Sequence, residues 1–174
     1  MPSKRVLALD VGTVRVGVAV TDPLCVFAQG VGVWNVKPGA PNERLNEGLS
    51  ERLSEGLSEG LRPFNFEGWK ERFDECIAKY DPRIVIIGLP RRTTGRPGPE
   101  EARVEALVAE LRALYPDRAF ETCDERFTTV MAEKALIEGN VSRAKRKGQI
   151  DKVAATIILQ SWLDGESFSV SAGL

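Results

Sequence analysis

The first part of the chain alternates between apolar runs and turn residues in a pattern that predicts three strands. Residues 5–11 (RVLALDV) form one apolar run, Gly12-Thr13 marks a turn, and residues 14–21 (VRVGVAVT) form a second run. Short runs rich in β-branched residues predict strands, and the turn between them predicts a hairpin. Residues 26–36 predict a third strand that is weakened by glycines.

The remainder of the chain alternates between helical and strand-like patterns. Apolar positions recur at helical spacing in four segments, residues 66–80, 99–115, 129–138 and 150–164, and strand-like runs lie at 84–88 and 119–122. A strand that follows a crossover helix is expected to be parallel to its predecessor. The sequence therefore predicts an α/β fold with a mixed five-stranded sheet, a three-strand meander plus parallel strands, flanked by helices.

Residues 42–61 consist of five copies of a four-residue unit, NERL NEGL SERL SEGL SEGL. Four residues advance about 400° along a helix, so the leucines drift and form no persistent seam. Glycines in the repeat disfavour a helix by roughly 1 kcal/mol each. We expect a low-complexity surface insertion at about 38–63 within a single domain spanning 1–174, followed by a short C-terminal tail at 165–174. A docking or self-association helix is the alternative interpretation of the repeat.

Charge and composition exclude several classes of protein. The 174-residue chain has 24 Lys and Arg against 25 Asp and Glu, so a uniformly basic coat for nucleic acid is excluded and any phosphate-binding surface is a local patch. The chain contains no histidine. Catalysis by Ser-His-Asp or Cys-His groups, a histidine general base and zinc bound by histidine are therefore excluded.

The cysteines indicate a reducing compartment. Cys25, Cys76 and Cys123 are odd in number and about fifty residues apart, which argues against a disulfide framework, so we expect small buried side chains instead. The N-terminus lacks the apolar stretch of a signal peptide, and no segment has the apolar length of a membrane span. We expect a cytoplasmic protein with no membrane partner.

Three carboxylate positions lie at the ends of predicted elements. Asp10 ends the first strand, Asp124 and Glu125 follow the fifth strand, and Asp151 begins the last helix. Structural roles are the alternative: a turn aspartate, an acidic loop and a partner for the helix dipole. Neighbouring side chains of an extended segment point to opposite sides, so only one of Asp124 and Glu125 needs to face a shared site. The sequence leaves open which one.

Carboxylates of this kind suit Mg²⁺ or Mn²⁺, which bind through few protein oxygens together with water and substrate phosphate. Such ions can support hydrolysis of a phosphodiester without a histidine. A basic cluster of Arg143, Lys145, Arg146 and Lys147 lies in the predicted loop before Asp151. This cluster is interpreted either as a contact for phosphate or as a solvated loop.

Four segments, residues 7–22, 84–90, 124–129 and 150–164, resemble the motifs of the YqgF/RuvX family, whose members are called Holliday-junction resolvase-like proteins or pre-16S rRNA nucleases. The resemblance implies an RNase H-like fold and a metal-dependent phosphodiesterase. It implies catalytic acids at Asp10, at the Asp124-Glu125 pair with Glu125 favoured, and at Asp151, with the metal on Asp10, Glu125 and Asp151. The residues that it implies for support and substrate binding are Gly12, Thr13, Arg126 and Thr128.

Two features depart from the family pattern. The repeat lengthens the link between the third strand and the first helix, and the loop after residue 90 reads RRTTGR where the family commonly has a polar loop with Asn and Asp. Arg91 and Arg92 add positive charge beside the expected cleft. They join Lys145, Arg146 and Lys147 as candidates for substrate binding.

The leading hypothesis is a nuclease acting on RNA, notably at the 5′ end of a small-subunit rRNA precursor. A Holliday-junction resolvase is the alternative with the same chemistry, and paired cuts in a junction would favour a homodimer. Two other classes are an ATP-binding actin-like domain, which the segment DVGTVRVGVAVTD also resembles, and a nucleic-acid-binding module without catalysis.

Overall fold

The structure is a computed structural model that describes residues 5–37, 64–90, 98–124, 132, 134, 136–139 and 143–171, with only the backbone described at 143–148 and 166–171. The expected insertion at about 38–63 lies outside the described residues, so the predicted domain organisation stays a prediction. Outside them as well lie five of the candidate site residues: Arg91, Arg92, Glu125, Arg126 and Thr128.

Five strands form one mixed sheet: β1 (Val6–Val11), β2 (Arg15–Thr21), β3 (Ala28–Asn35), β4 (Ile84–Leu89) and β5 (Ala119–Asp124). Their order is β3-β2-β1-β4-β5. The first three strands are antiparallel neighbours, whereas β4 is parallel to β1 and β5 is parallel to β4. This confirms the predicted meander followed by parallel strands and gives the sheet of an RNase H-like fold.

The helical elements are a short 3₁₀ helix (Phe66–Gly68), α1 (Lys70–Tyr80), α2 (Pro99–Leu114) and α3 (Arg143–Ser171). The helix predicted at 129–138 is helical at its described positions, 132, 134 and 136–138. Pro99 occupies the first turn of α2, where its missing N–H costs nothing. Among the described helices, none is both long enough and apolar enough to cross a membrane.

The sheet separates two apolar layers. On one face, side chains from β1, β2 and β4 pack with α1, α2 and the 3₁₀ helix; Leu7, Leu9, Val16, Val18, Ile87, Phe66, Phe73 and Leu107 are buried there. On the other face, a smaller layer beneath α3 contains Val6, Ala8, Ala19, Ile86, Ala155, Ile158 and Leu159. The three cysteines form no disulfide, and Cys76 is buried, as expected, while Cys25 and Cys123 are partly exposed.

The start of the last helix was predicted wrongly. The sequence pattern placed it near Ile150, with the basic cluster in a loop, but α3 begins at Arg143 and includes that cluster in its first two turns. Arg, Ala and Lys are good helix formers, and a single Gly148 costs only about 1 kcal/mol. Asp151 therefore lies in the third turn of α3. The helix-dipole interpretation of Asp151 is wrong, because that effect fades within the first turn.

Candidate active site

The carboxyl ends of three parallel strands meet at one edge of the sheet. Asp10 is the second-to-last residue of β1, and Asp124 is the last residue of β5, so both lie at this edge. The turn between β1 and β2, which contains Gly12 and Thr13, lies there as well. The topology thus gathers residues that are far apart in the sequence.

Asp10 lies on the face of the sheet that α3 covers. Successive side chains of a strand alternate between faces. Leu9 packs into the layer beneath α1 and α2, whereas Ala8 packs into the layer beneath α3. Asp10, two residues after Ala8, therefore shares the α3 face, on which Asp151 lies.

Gly17 lets α3 approach the sheet closely beside Asp10. Gly17 is the cross-strand partner of Asp10 in the β1–β2 ladder. A Cβ atom on Gly17 would overlap the carbonyl oxygen of Asp151. Gly30 on β3 plays a similar part, because a Cβ atom there would lie 2.7 Å from Lys152 Cγ and 2.8 Å from Thr156 Oγ1. The backbone of α3 at Asp151 thus rests directly on β2, opposite Asp10.

The two aspartates interact electrostatically. Burial and, to a lesser extent, the negative charge of Asp151 together raise the pKa of Asp10 from 3.8 to about 6. Burial removes water from the charged carboxylate, and a second negative charge nearby disfavours ionisation. A site that raises the pKa of an acid in this way favours a positive charge between the two groups.

Arg15 supplies a positive charge to this site. Its Nε atom lies 2.8 Å from Asp151 Oδ2, and the two side chains are 31% and 24% exposed. The contact is an ion pair without the geometry of a hydrogen bond, and Oδ2 itself is buried with no hydrogen-bond partner in the part of the chain that the structure describes. Asp151 therefore has an oxygen atom whose hydrogen-bonding capacity is unused.

The turn before β2 fixes the backbone of Arg15. The Gly12 N–H donates a hydrogen bond to the Arg15 carbonyl oxygen at 2.9 Å. A Cβ atom on Gly12 would lie 2.8 Å from that same oxygen, so the turn favours a glycine here. Thr13 is exposed in the turn.

Asp124 does not share the face of Asp10 and Asp151. Phe120 on β5 packs beneath α1 and α2, whereas Glu121 accepts a hydrogen bond from Trp162 Nε1 of α3 at 3.1 Å. By alternation, Asp124 lies on the same face as Phe120, and its side chain is exposed. The structure therefore brings Asp10 and Asp151 together but leaves Asp124 on the opposite face.

The basic candidates lie on the segment of α3 that leads to Asp151. Lys145, Arg146 and Lys147 belong to its first two turns, of which the backbone is described. The basic residues and Asp151 therefore lie on consecutive turns of α3.

The two aspartates fit a divalent cation. Within the described residues, no three Cys, Asp or Glu side chains lie together as a metal site. Mg²⁺, however, needs only one or two carboxylates when water and substrate phosphate complete its shell. A cation would use Asp151 Oδ2, which accepts no hydrogen bond from the described residues, and would offset the burial of Asp10.

Reasoning from the sequence missed Arg15 and Gly17. Both lie on one face of β2, two residues apart, within the segment that carries the first motif. A glycine inside a strand indicates a bulge or a close approach of another backbone, and that signal was available at Gly17. No sequence signal identified Asp151 as the partner of Arg15, because Asp151 lies on α3, far away in the sequence.

The chain matches the family model RuvX, described as Holliday junction resolvase, over residues 50–165. It is 36% identical over 162 residues to a protein of Pelotomaculum thermopropionicum (93% of this chain, 88% of the relative) and 37% identical over 160 residues to one of Halalkalibacterium halodurans (92% and 96%). Both relatives carry the name "Putative pre-16S rRNA nuclease". Among solved structures, the chain is similar to the yeast mitochondrial Holliday junction resolvase Ydc2, with 17% identity, a TM-score of 0.47 and coverage of 93% and 78%. As its four motifs predict, the chain belongs to the RuvX family.

Proposed function

We propose that this RuvX-family nuclease hydrolyses phosphodiester bonds with Mg²⁺ or Mn²⁺ held by Asp10 and Asp151. The observation that carries the proposal is the packing of the Asp151 backbone on Gly17, directly opposite Asp10. This packing joins two acids whose positions in the sequence are far apart. The raised pKa of Asp10 supports a cation between the two acids, and so does Asp151 Oδ2, which accepts no hydrogen bond from the described residues.

Each acid has a distinct part in this proposal. Asp10, with a pKa of about 6, is mostly ionised at neutral pH and gives a buried negative charge at the sheet edge. Asp151 contributes a second charge from the opposite side, oriented by Arg15. Glu125 remains the proposed third acid, because Asp124 lies on the other face. A divalent cation, when bound, supplies stabilisation of the charge that develops on the phosphate.

The proposed substrate is the 5′ end of a 16S rRNA precursor, in the cytoplasm. The names of the two relatives support this choice. The residues proposed to contact phosphate are those that the sequence singles out: Gly12, Thr13, Arg91, Arg92, Arg126, Thr128, Lys145, Arg146 and Lys147. Contacts of this kind position the backbone of a nucleic acid without reading its sequence.

A Holliday junction is the second candidate substrate, and the description of the matching family model favours it. The chemistry at Asp10 and Asp151 would be the same. The difference lies in assembly, because paired cuts across a junction need two sites related by symmetry. We therefore propose a homodimer only for this second candidate.

The test is cleavage of labelled precursor RNA and of four-way junction DNA, with and without Mg²⁺, by the wild type, Asp10→Asn and Asp151→Asn. We expect both substitutions to reduce the cleavage rate by at least about a hundredfold, because each removes a charge needed at the transition state. Asp164→Asn is the matched control, since Asp164 is an exposed residue of the same helix. Undiminished cleavage by Asp10→Asn would refute the proposal, and metal-independent binding without cleavage would favour a non-catalytic module.

A further inference from the structure

The proposed metal site contains a positive charge of its own. Arg15 Nε lies 2.8 Å from Asp151 Oδ2, the oxygen atom that has no hydrogen-bond partner among the described residues. This is the oxygen that a cation shared with Asp10 would use. The Arg15 guanidinium group and a bound cation would therefore both contact Asp151 Oδ2.

We infer that Arg15 competes with the cation for Asp151 Oδ2 and thereby lowers the affinity of the site for metal. The inference rests on the proposed function, because it needs a divalent cation at Asp10 and Asp151. It adds a role for a residue that the sequence motifs did not single out. The site with Arg15 therefore binds metal more weakly than Asp10 and Asp151 would without it.

Electrostatics gives the direction of the effect. Two carboxylates and one guanidinium group leave the site with one net negative charge when all three are ionised. Like charges a few ångströms apart repel each other even at a protein surface. Because the Asp151 side chain is only 24% exposed, screening by solvent is incomplete. Neutralising Arg15 therefore increases the attraction of the site for a cation.

The placement of Arg15 is built into the sheet. Its carbonyl oxygen accepts a hydrogen bond from Gly12, and its backbone pairs with Asn35 on β3. Its side chain shares the α3 face with Gly17, two residues further along β2. A fixed backbone and a close α3 keep the guanidinium group beside Asp151, so the contact follows from the fold.

The Arg15 side chain is partly exposed, so its guanidinium group could move away from Asp151 when a cation binds. The side chain is 31% exposed at the sheet edge where substrate phosphate would bind. The planar fork of arginine pairs well with phosphate oxygens. Arg15, once displaced from Asp151, would pair with a phosphate oxygen of the substrate, which would favour joint binding of metal and substrate over binding of metal alone.

The experiment measures Mn²⁺ binding without nucleic acid, by the electron paramagnetic resonance signal of free Mn²⁺. We expect Arg15→Gln to bind Mn²⁺ about fivefold to tenfold more tightly than the wild type. Arg15→Lys, which keeps the charge, should stay within about twofold of the wild type. Arg72→Gln is the control for net charge, because Arg72 lies on α1, on the other side of the sheet, and should leave the affinity unchanged.

The outcomes separate the inference from the function on which it rests. A merely structural loss at Arg15 would weaken Mn²⁺ binding, so an unchanged or weaker affinity in a folded Arg15→Gln variant overturns the inference. Arg15→Met is a second neutral replacement should the Gln variant not fold. If Asp10→Asn abolishes Mn²⁺ binding but Arg15→Gln matches the wild type, the inference alone fails. If Asp10→Asn binds Mn²⁺ no more weakly than the wild type does, the proposed metal site fails, and the inference fails with it.

Discussion

Gly17 on β2 leaves no room for a side chain beneath the carbonyl oxygen of Asp151 on α3. Because Gly17 is also the cross-strand partner of Asp10, this contact holds the backbone of Asp151 close to the strand pair that carries Asp10. The geometry of the site thus depends on a residue that has no chemistry of its own.

Replacing Gly17 tests this dependence. Gly17→Ala should force α3 away from the sheet, lower the free energy of unfolding by about 1–3 kcal/mol and reduce cleavage. Urea denaturation measures the first effect, and the cleavage assay measures the second. Gly32→Ala is the matched control on β3, because a Cβ atom there meets nothing within 4 Å. Equal stability of the two variants would contradict the close packing.

Asp10 should make the protein more stable in acid than at neutral pH. Its pKa is 3.8 in the unfolded chain and about 6 in the folded protein, so the folded state binds more protons between these values. The stabilisation is fully present below pH 3.8 and is lost as the pH rises through 6. Asp10→Asn should therefore be more stable than the wild type by about 2 kcal/mol at pH 7.5, a difference that vanishes near pH 3.8. Denaturation at both pH values measures this, and a constant difference would exclude Asp10 as its source.

Asp151 should account for only part of the raised pKa of Asp10. Burial is the larger cause and the charge of Asp151 the smaller one. In Asp151→Asn the pKa of Asp10 should fall but stay above 3.8, because the variant removes the charge and leaves the burial. Carbon-13 NMR titration of the Asp10 carboxyl group gives this value directly. A return to 3.8 would mean that the charge, and not burial, dominates.

Glu110 on α2 offers a test away from the site. It is 2% exposed, Oε1 has no hydrogen-bond partner within the described chain, and burial, followed by the charge of Glu67, raises its pKa to about 7. Its stabilising contribution is complete below pH 4.5 and is lost as the pH rises through 7. Glu110→Gln should therefore stabilise the protein by about 2 kcal/mol at pH 8 and by little at pH 4.5. Glu105→Gln, exposed on the same helix, should change stability by less than about 0.5 kcal/mol at either pH.

The sequence predicted the sheet because local patterns determine it. Apolar runs such as 84–88 form buried strands, and the turn at Gly12 fixes the hairpin that carries Asp10 to the edge. The start of α3 was missed because residues 143–148 are polar and show no apolar periodicity. The ion pair of Arg15 with Asp151 and the face of Asp124 depend on how distant elements pack and on strand register, and neither is visible in a local pattern.

The basic turns at the start of α3 should govern the salt dependence of nucleic-acid binding. Each lysine that neutralises a phosphate releases counterions, and the loss of two contacts to a single strand should flatten the slope of log K against log salt by about 1.4. Lys145→Ala combined with Lys147→Ala should therefore weaken binding to all sequences and reduce the slope by this amount, measured by fluorescence anisotropy from low to high salt. Arg72→Ala combined with Lys79→Ala removes the same charge from α1 on the opposite side of the sheet, where Lys79 is exposed. If both double variants shift the slope equally, overall charge is responsible and the α3 turns are solvated; if only the α3 variant shifts it, the nucleic acid crosses the sheet edge beside Asp151.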